Sequence, residues 1–350
     1  MHHVVMHHMT FTEAIVVGFI QGVTELFPVS SLGHNVLIPA LVGGSWARDL
    51  NVATPESPYL AFIVGLHVAT AIGITVYFWR DWVRIIGGFF TSFQADLRHP
   101  IKTRTSDQKL AWMIVLATIP VGLVGLAFEH KFRVIFGVPS RAAIFLAING
   151  VILYAGERFR TRKSLAADQQ VVAEREQPQP QPEPEPEPER ELVGAARVPG
   201  AHSSGQRAVR QQEITTAIAS DRRITAFGYA SAVLIGAAQI LALLAGISRD
   251  GVTMVAGMFR GLSREDAARF AFLLATPVIL AAGMLKVPDL LGHLGNGIRP
   301  QILAGSVVSG IGAYVSVRFL MKYFRTRTLY PFAIYCLIFG LGSYIYLTVK

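Results

Sequence analysis

Six long apolar runs separated by short polar loops dominate the chain, at 59–79, 110–128, 141–157, 268–286, 301–320 and 331–348. Each is close to the roughly 20 residues that cross a hydrocarbon core as a helix. So many runs without a polar face argue against a large soluble helical protein. Two further apolar stretches, 11–43 and 224–260, are broken near their middles by Gly, Pro and polar residues. Residues 161–223 are of another kind. Their centre, QPQPQPEPEPEPER (177–190), alternates Pro with Gln or Glu, the pattern of an extended segment that buries no core. The pattern predicts an all-α polytopic membrane protein in two halves, 11–160 and 224–350, with an N-terminal tail at 1–10 and a disordered linker at 161–223.

Composition agrees: 52% of the 350 residues are hydrophobic and 16% charged, where soluble domains carry roughly a quarter charged residues. The net charge of +9 sits largely in short loops, where it sets orientation and makes no nucleic-acid stripe. The one cysteine, Cys336, lies inside the last run and allows no intrachain disulfide. The N-terminal MHHVVMHHMT has no Lys or Arg, which argues against a cleaved signal peptide; its four His read as a solvated tail or a loose metal tag.

Orientation constrains the two broken stretches. Arg80, Arg84, Arg98, Lys102, Arg104 and Lys109 lie between the first two runs, Arg158 to Lys163 begin the linker, and Arg318 to Arg327 precede the last run. Arg260, Arg264 and Arg269 come just before the 268–286 run. These groups share one side only if 11–43 and 224–260 enter and leave on the same side. The prediction is six transmembrane helices plus two re-entrant hairpins of opposite sense, an inverted repeat of the kind found in transporters. A weak internal match agrees: Gly18, Gln21, Ser30 and Gly33 align with Gly236, Gln239, Ser248 and Gly251.

Irregular backbone inside a bilayer is tolerated only where protein buries it or it lines a cavity. The tips FPVSSLGH (27–34) and AGISRDG (245–251) are therefore expected to meet near the midplane. Ser30 or Ser31, and Ser248, are the candidate N-caps of the restarted helices, and two helix N-termini facing one cavity form an anion site. Glu25 and Arg249 are charges inside apolar stretches, which marks them as functional or as a structural ion pair. Gln21, one turn before Glu25, offers an amide oxygen that with the carboxylate suits a hard divalent cation. Ser31 and His34 pair a hydroxyl with an imidazole, a combination suited to phosphoryl transfer. Arg249 is expected to grip phosphate, with Thr253 one turn on as a further hydroxyl. His67 reads first as a hydrogen-bonded core residue.

GFIQGVTELFPVSSLGH (18–34) resembles the first signature of the BacA-type undecaprenyl-diphosphate phosphatases, and LALLAGISRDGVT (241–253) resembles the second. GLSREDAARFAFLLATP (261–277) and YPFAIY (330–335) extend the resemblance over nearly the whole chain outside the tail and the linker. It implies removal of the terminal phosphate from a C55-isoprenyl diphosphate in the bacterial inner membrane, recycling the carrier of peptidoglycan synthesis and conferring bacitracin tolerance. It also implies an outward-facing site, a cytoplasmic linker and a divalent cation, Mg²⁺ or Ca²⁺, and leaves room for a homodimer. By motif position, Glu25 is the essential acid, Ser31 the nucleophile and His34 its proton partner. Ser30, Ser248, Arg249 and Thr253 bind diphosphate.

The chain departs from that pattern at three positions. Gln21 stands where many relatives have Glu, Ala245 where the second signature has Pro, and Asp250 where it has Ser. A metal set of Glu25, Gln21 and Asp250, with Asp250 restoring the missing carboxylate, is the resulting expectation. Ser31, His34 and water all remain open as the attacking group. The rival reading is a lipid-phosphate flippase or anion-coupled transporter, which needs the anion site and no nucleophile. An acid-phosphatase-like lipid phosphatase would need further motifs that the chain lacks.

Overall fold

A computed structural model describes residues 9–50, 58–94, 105–176, 204–292 and 297–349. Every described element is helical. The order is α1 (Phe11–Thr24), α2 (Ser31–Val42), α3 (Gly44–Asp49), α4 (Pro58–Tyr77), α5 (Trp79–Gln94), α6 (Ser106–Phe136), α7 (Pro139–Glu176) and α8 (Ser204–Thr225). There follow α9 (Gly228–Ala237) with a 3₁₀ continuation (Ala238–Leu243), α10 (Arg249–Phe259), α11 (Arg264–Leu291), α12 (Arg299–Tyr323) and α13 (Tyr330–Val349). The His cluster of the tail and residues 177–190 lie outside the described residues.

Helix length separates crossing from non-crossing elements. Stretches of α6, α7, α11, α12 and α13 are each long and apolar enough to cross a bilayer, and α4 forms an apolar pair with α5 that bends by 87°. By contrast α1 and α2 have 14 and 12 residues. At about 1.5 Å per residue these reach about 21 and 18 Å, short of the roughly 30 Å core. The predicted hairpin over 11–43 is thus a pair of half-length helices. The second stretch repeats the arrangement, α9 and its 3₁₀ turn entering and the 11-residue α10 leaving.

Reciprocal packing gives the inverted repeat a physical basis. α1 lies along α12, and α9 lies along α6. A Cβ added to Gly18 would meet the Gly305 carbonyl oxygen at 2.5 Å, and one on Gly236 would meet that of Ala117 at 2.1 Å. The same close crossing therefore occurs twice, at aligned glycines. Between the tips, Gly33 faces Gly246 while Gly251 faces Pro28. The offset of 218 turns one contact into the other, since 33 aligns with 251 and 28 with 246. α7 and α13 pack on each other in the same reciprocal way: Gly150 approaches Ala333 and Gly340 approaches Ala143, each aligned pair 190 positions apart.

Two helices depart from the sequence reading. α5, expected as basic loop, exposes Trp79, Val83, Ile86, Phe90 and Phe93 on one face and packs its other face on α6. That is the character of a helix lying in the interfacial plane. The linker expectation over 161–223 also needs correction, because helix continues to Glu176 and resumes at Ser204. The polar composition of α8 concealed a docking surface. Asp221 is buried and pairs with Arg84 at 2.8 Å and Arg269 at 3.0 Å. Arg84 also pairs with Asp81 at 2.6 Å and Asp107 at 2.9 Å. This network ties α5, α6, α8 and α11 together through charges that satisfy one another.

Candidate active site

Both hairpins turn by the same device and meet. α1 ends at Thr24 with Glu25 as its C-cap, and the chain turns through Pro28 to Ser30. There φ is +68°, the only positive value at a non-glycine among the described residues. Such a conformation is costly for an L-residue and marks a constrained turn. The Ser30 hydroxyl accepts from the Gly33 N–H at 3.2 Å and caps α2. In the second hairpin the positive φ falls on Gly246, at 113°, and the Ser248 hydroxyl accepts from the Gly251 N–H at 3.1 Å. Of the two candidate caps in the first tip the structure uses Ser30, which leaves Ser31 available for chemistry.

Glu25 is the hub. One carboxylate oxygen accepts from Arg249 Nη2 at 2.5 Å. The other accepts from Ser31 Oγ at 2.5 Å and Gln21 Nε2 at 2.7 Å, with His67 Nε2 at 3.3 Å. His67 Nδ1 is held by the Ile63 carbonyl at 2.8 Å, so Nε2 is the ring nitrogen turned to the carboxylate. The sequence reading of His67 as a core residue therefore missed a site contact; a polar group inside an apolar run was the available signal. The Arg249–Glu25 pair joins the hairpins, and each charge offsets the desolvation of the other.

Ser31 and His34 share a helix face but engage different partners. His34 Nδ1 meets the Ser30 carbonyl at 2.7 Å, so it carries the ring proton and Nε2 accepts from Tyr335 Oη at 2.7 Å. The ring stacks on Tyr335 and Phe339. The expected Ser31–His34 hydrogen bond is replaced by Ser31–Glu25. Thr253 donates its hydroxyl to the Arg249 carbonyl at 2.8 Å, whereas the Ser30 and Ser248 hydroxyls receive backbone N–H groups and keep a proton to donate. Asn149, which the sequence reading did not single out, bridges the two turns: it donates to the Pro28 carbonyl at 2.9 Å and accepts from Ser248 N–H at 3.0 Å.

The residues expected to hold a cation do not form a ready cage. Gln21 turns its amide nitrogen to Glu25 and its oxygen to Asn35, at 2.6 Å. Both Glu25 oxygens are engaged. Asp250 is fully buried with neither carboxylate oxygen hydrogen-bonded, and Arg249 Nε lies 3.7 Å from Oδ1. Among the described residues no group of three His, Cys, Asp or Glu is arranged around a metal position. The Ser31 hydroxyl, the Glu25 carboxylate and the Arg249 guanidinium are brought together where the N-termini of α2 and α10 approach, a setting with the donors that an anionic group needs.

The chain is similar to known proteins over nearly its full length. The family model described as Bacitracin resistance protein BacA matches residues 14–177 and 203–342. The chain is 54% identical over 343 residues to a protein of Mycolicibacterium paratuberculosis named undecaprenyl-diphosphatase, covering 98% of this chain and 99% of that one. It is 50% identical to undecaprenyl-diphosphatase 2 of Frankia alni, covering 96% and 97%. A protein of Chromobacterium violaceum, also named undecaprenyl-diphosphatase 2, is 35% identical over 95% and 97%.

Proposed function

The chain belongs to the bacitracin resistance protein BacA family, and we propose that its two hairpin tips are where it cleaves a polyprenyl diphosphate. It is a multi-pass membrane undecaprenyl-diphosphatase, a hydrolase of the bacitracin resistance family. The reading of the site rests on one observation: Ser31 Oγ lies 2.5 Å from one oxygen of Glu25 while Arg249 lies 2.5 Å from the other.

In the resting site Arg249 and Glu25 neutralise one another. An entering diphosphate draws the guanidinium to its own oxygens, which accept it bidentately, and leaves Glu25 to act as base toward Ser31. Ser31 Oγ then attacks the terminal phosphorus and its proton passes to Glu25. The bond from that phosphorus to the bridging oxygen breaks, releasing undecaprenyl phosphate. Water attacks the phosphoserine, Glu25 mediates the proton transfer, and inorganic phosphate departs with Ser31 restored. Arg249 and the free N–H groups of α2 and α10 offset charge on the equatorial oxygens, where removing one such donor typically costs about 10²–10³ in rate. His67 holds the far side of the carboxylate, and His34 orders the turn through Ser30.

The site between the hairpin tips is taken to face outward, with the Arg84–Asp221 network and the linker on the cytoplasmic side, because the basic loops gather there. The test is phosphate release from undecaprenyl diphosphate by detergent-purified protein, with and without EDTA. Wild-type release that falls at least about 10³-fold in Ser31→Ala supports covalent attack. Turnover retained by Ser31→Ala would remove the nucleophile and favour direct attack by water. Transport of the lipid without phosphate release would replace the hydrolase with the transporter reading. Loss of activity in EDTA would require a cation held jointly by the substrate and Asp250.

A further inference from the structure

We infer that Asn149, near the middle of the apolar Pro139–Arg162 stretch of α7, is the positioning residue that holds the Ser31 turn and the Arg249 turn at their working separation; the inference rests on the phosphatase reading above. The side chain is fully buried. Its amide Nδ2 donates to the Pro28 carbonyl at 2.9 Å, three residues before Ser31, and its Oδ1 accepts from the Ser248 N–H at 3.0 Å, immediately before Arg249. One rigid planar group thus satisfies a backbone atom of each tip. Among the described residues, the other group at the Pro28 carbonyl is the Cys336 thiol, at a long 3.9 Å.

The staple has no counterpart across the pseudo-two-fold axis. The 190-position relation between α7 and α13 puts Phe339 where Asn149 would recur, and Phe339 stacks on His34. A polar group in the middle of a span has no packing reason to be there. Shape alone could be supplied by Leu, which has nearly the same size and neither hydrogen bond. Asn149 therefore acts on the reaction through distance. It touches no reacting atom, but it fixes the gap across which Ser31 and Arg249 address the same phosphoryl group.

The test compares Asn149→Leu with wild type in the full-length protein, with Asn149→Ser as the alternative should the first not purify folded. Hydrogen exchange of peptides covering 245–251 reads the staple itself, and phosphate release reads its consequence. Expected are faster exchange confined to the tips, a fall in kcat of about 100-fold with KM within about twofold, as a misplacement near 1 Å brings. In an Arg249→Ala background the same change should cost less than about threefold, because the group being positioned is gone. Unchanged exchange, or an equal fractional loss in both backgrounds, would overturn the inference and reduce Asn149 to a folding residue. Faster exchange in a protein whose wild type releases no phosphate would leave the staple standing and sink the phosphatase reading.

Discussion

The two hairpin tips share a scaffold and divide the chemistry. Each restarts a helix behind a serine cap, Ser30 or Ser248, and each brings a small residue of one tip against the turn of the other. At the first position of the restarted helix the aligned residues are Ser31 and Arg249. One repeat therefore presents the hydroxyl and the other the guanidinium, from equivalent places, to the same carboxylate of Glu25. Glu25, bonded to both, aligns with Leu243, and buried Asp250 aligns with Leu32. Duplication of the backbone explains how two helix N-termini converge. Only divergence of side chains makes the two tips chemically different, since a symmetric pair would present two hydroxyls or two cations.

The comparison predicts large and interdependent penalties at the paired first positions. Ser31→Ala and Arg249→Ala should each lower kcat by about 10³-fold or more, and the double variant should lose little beyond the larger single loss, because the two groups act on one transition state. Additive losses in a single-turnover assay of phosphate release would mean that the tips act independently.

Packing should be punished equally on both sides. Gly18→Ala and Gly236→Ala each push a methyl into a carbonyl of the crossing helix and are expected to cost about 1–3 kcal/mol, read by thermal unfolding in detergent. A marked inequality would show that the repeat is equivalent in sequence but not in energy.

A smaller effect tests the asymmetry of Glu25. His67→Gln keeps a polar group near the carboxylate but removes the ring nitrogen at 3.3 Å. A loss in kcat of about tenfold, equivalent to about 1.4 kcal/mol, is expected, with no change in KM for the lipid. An unaltered kcat would return His67 to the core role that the sequence suggested.

The smallest contrast concerns the caps. Ser248→Ala removes a helix cap in ordinary extended backbone and should cost about 1 kcal/mol. Ser30→Gly also removes a cap, but it relieves the left-handed backbone at φ +68°, so stability should stay within about 0.5 kcal/mol of wild type. Equal destabilisation in unfolding curves would mean that Ser30 is not strained.

Much of the membrane architecture was legible without coordinates. Hydropathy and loop charge identified the crossing runs and the broken hairpins, because a bilayer demands apolar length and internal backbone hydrogen bonds. Glu25 and Arg249 declared themselves as charges in apolar surroundings. α8 did not, because its docking depends on ion pairs between Asp221 and arginines more than forty positions away in sequence. Nor did spacing reveal that Ser31 would choose Glu25 over His34: helical periodicity favours His34, and the turn between α1 and α2 brings Glu25 to the hydroxyl instead.

By itself the sequence determined that this chain is a membrane protein, where its helices break, and which few polar groups the membrane must shelter. These are local properties, set by composition within each segment and by the cost of placing charge in hydrocarbon. Tertiary structure alone decided which of those groups meet. It turned Gln21 toward Glu25 and Asn35, left the Asp250 carboxylate without a hydrogen bond, brought His67 to the hub and set Asn149 between the turns. Hydrogen bonding acts over about 3 Å, so partnership is fixed by the packing of α4, α7 and the two hairpins, and spacing along any one helix cannot specify it.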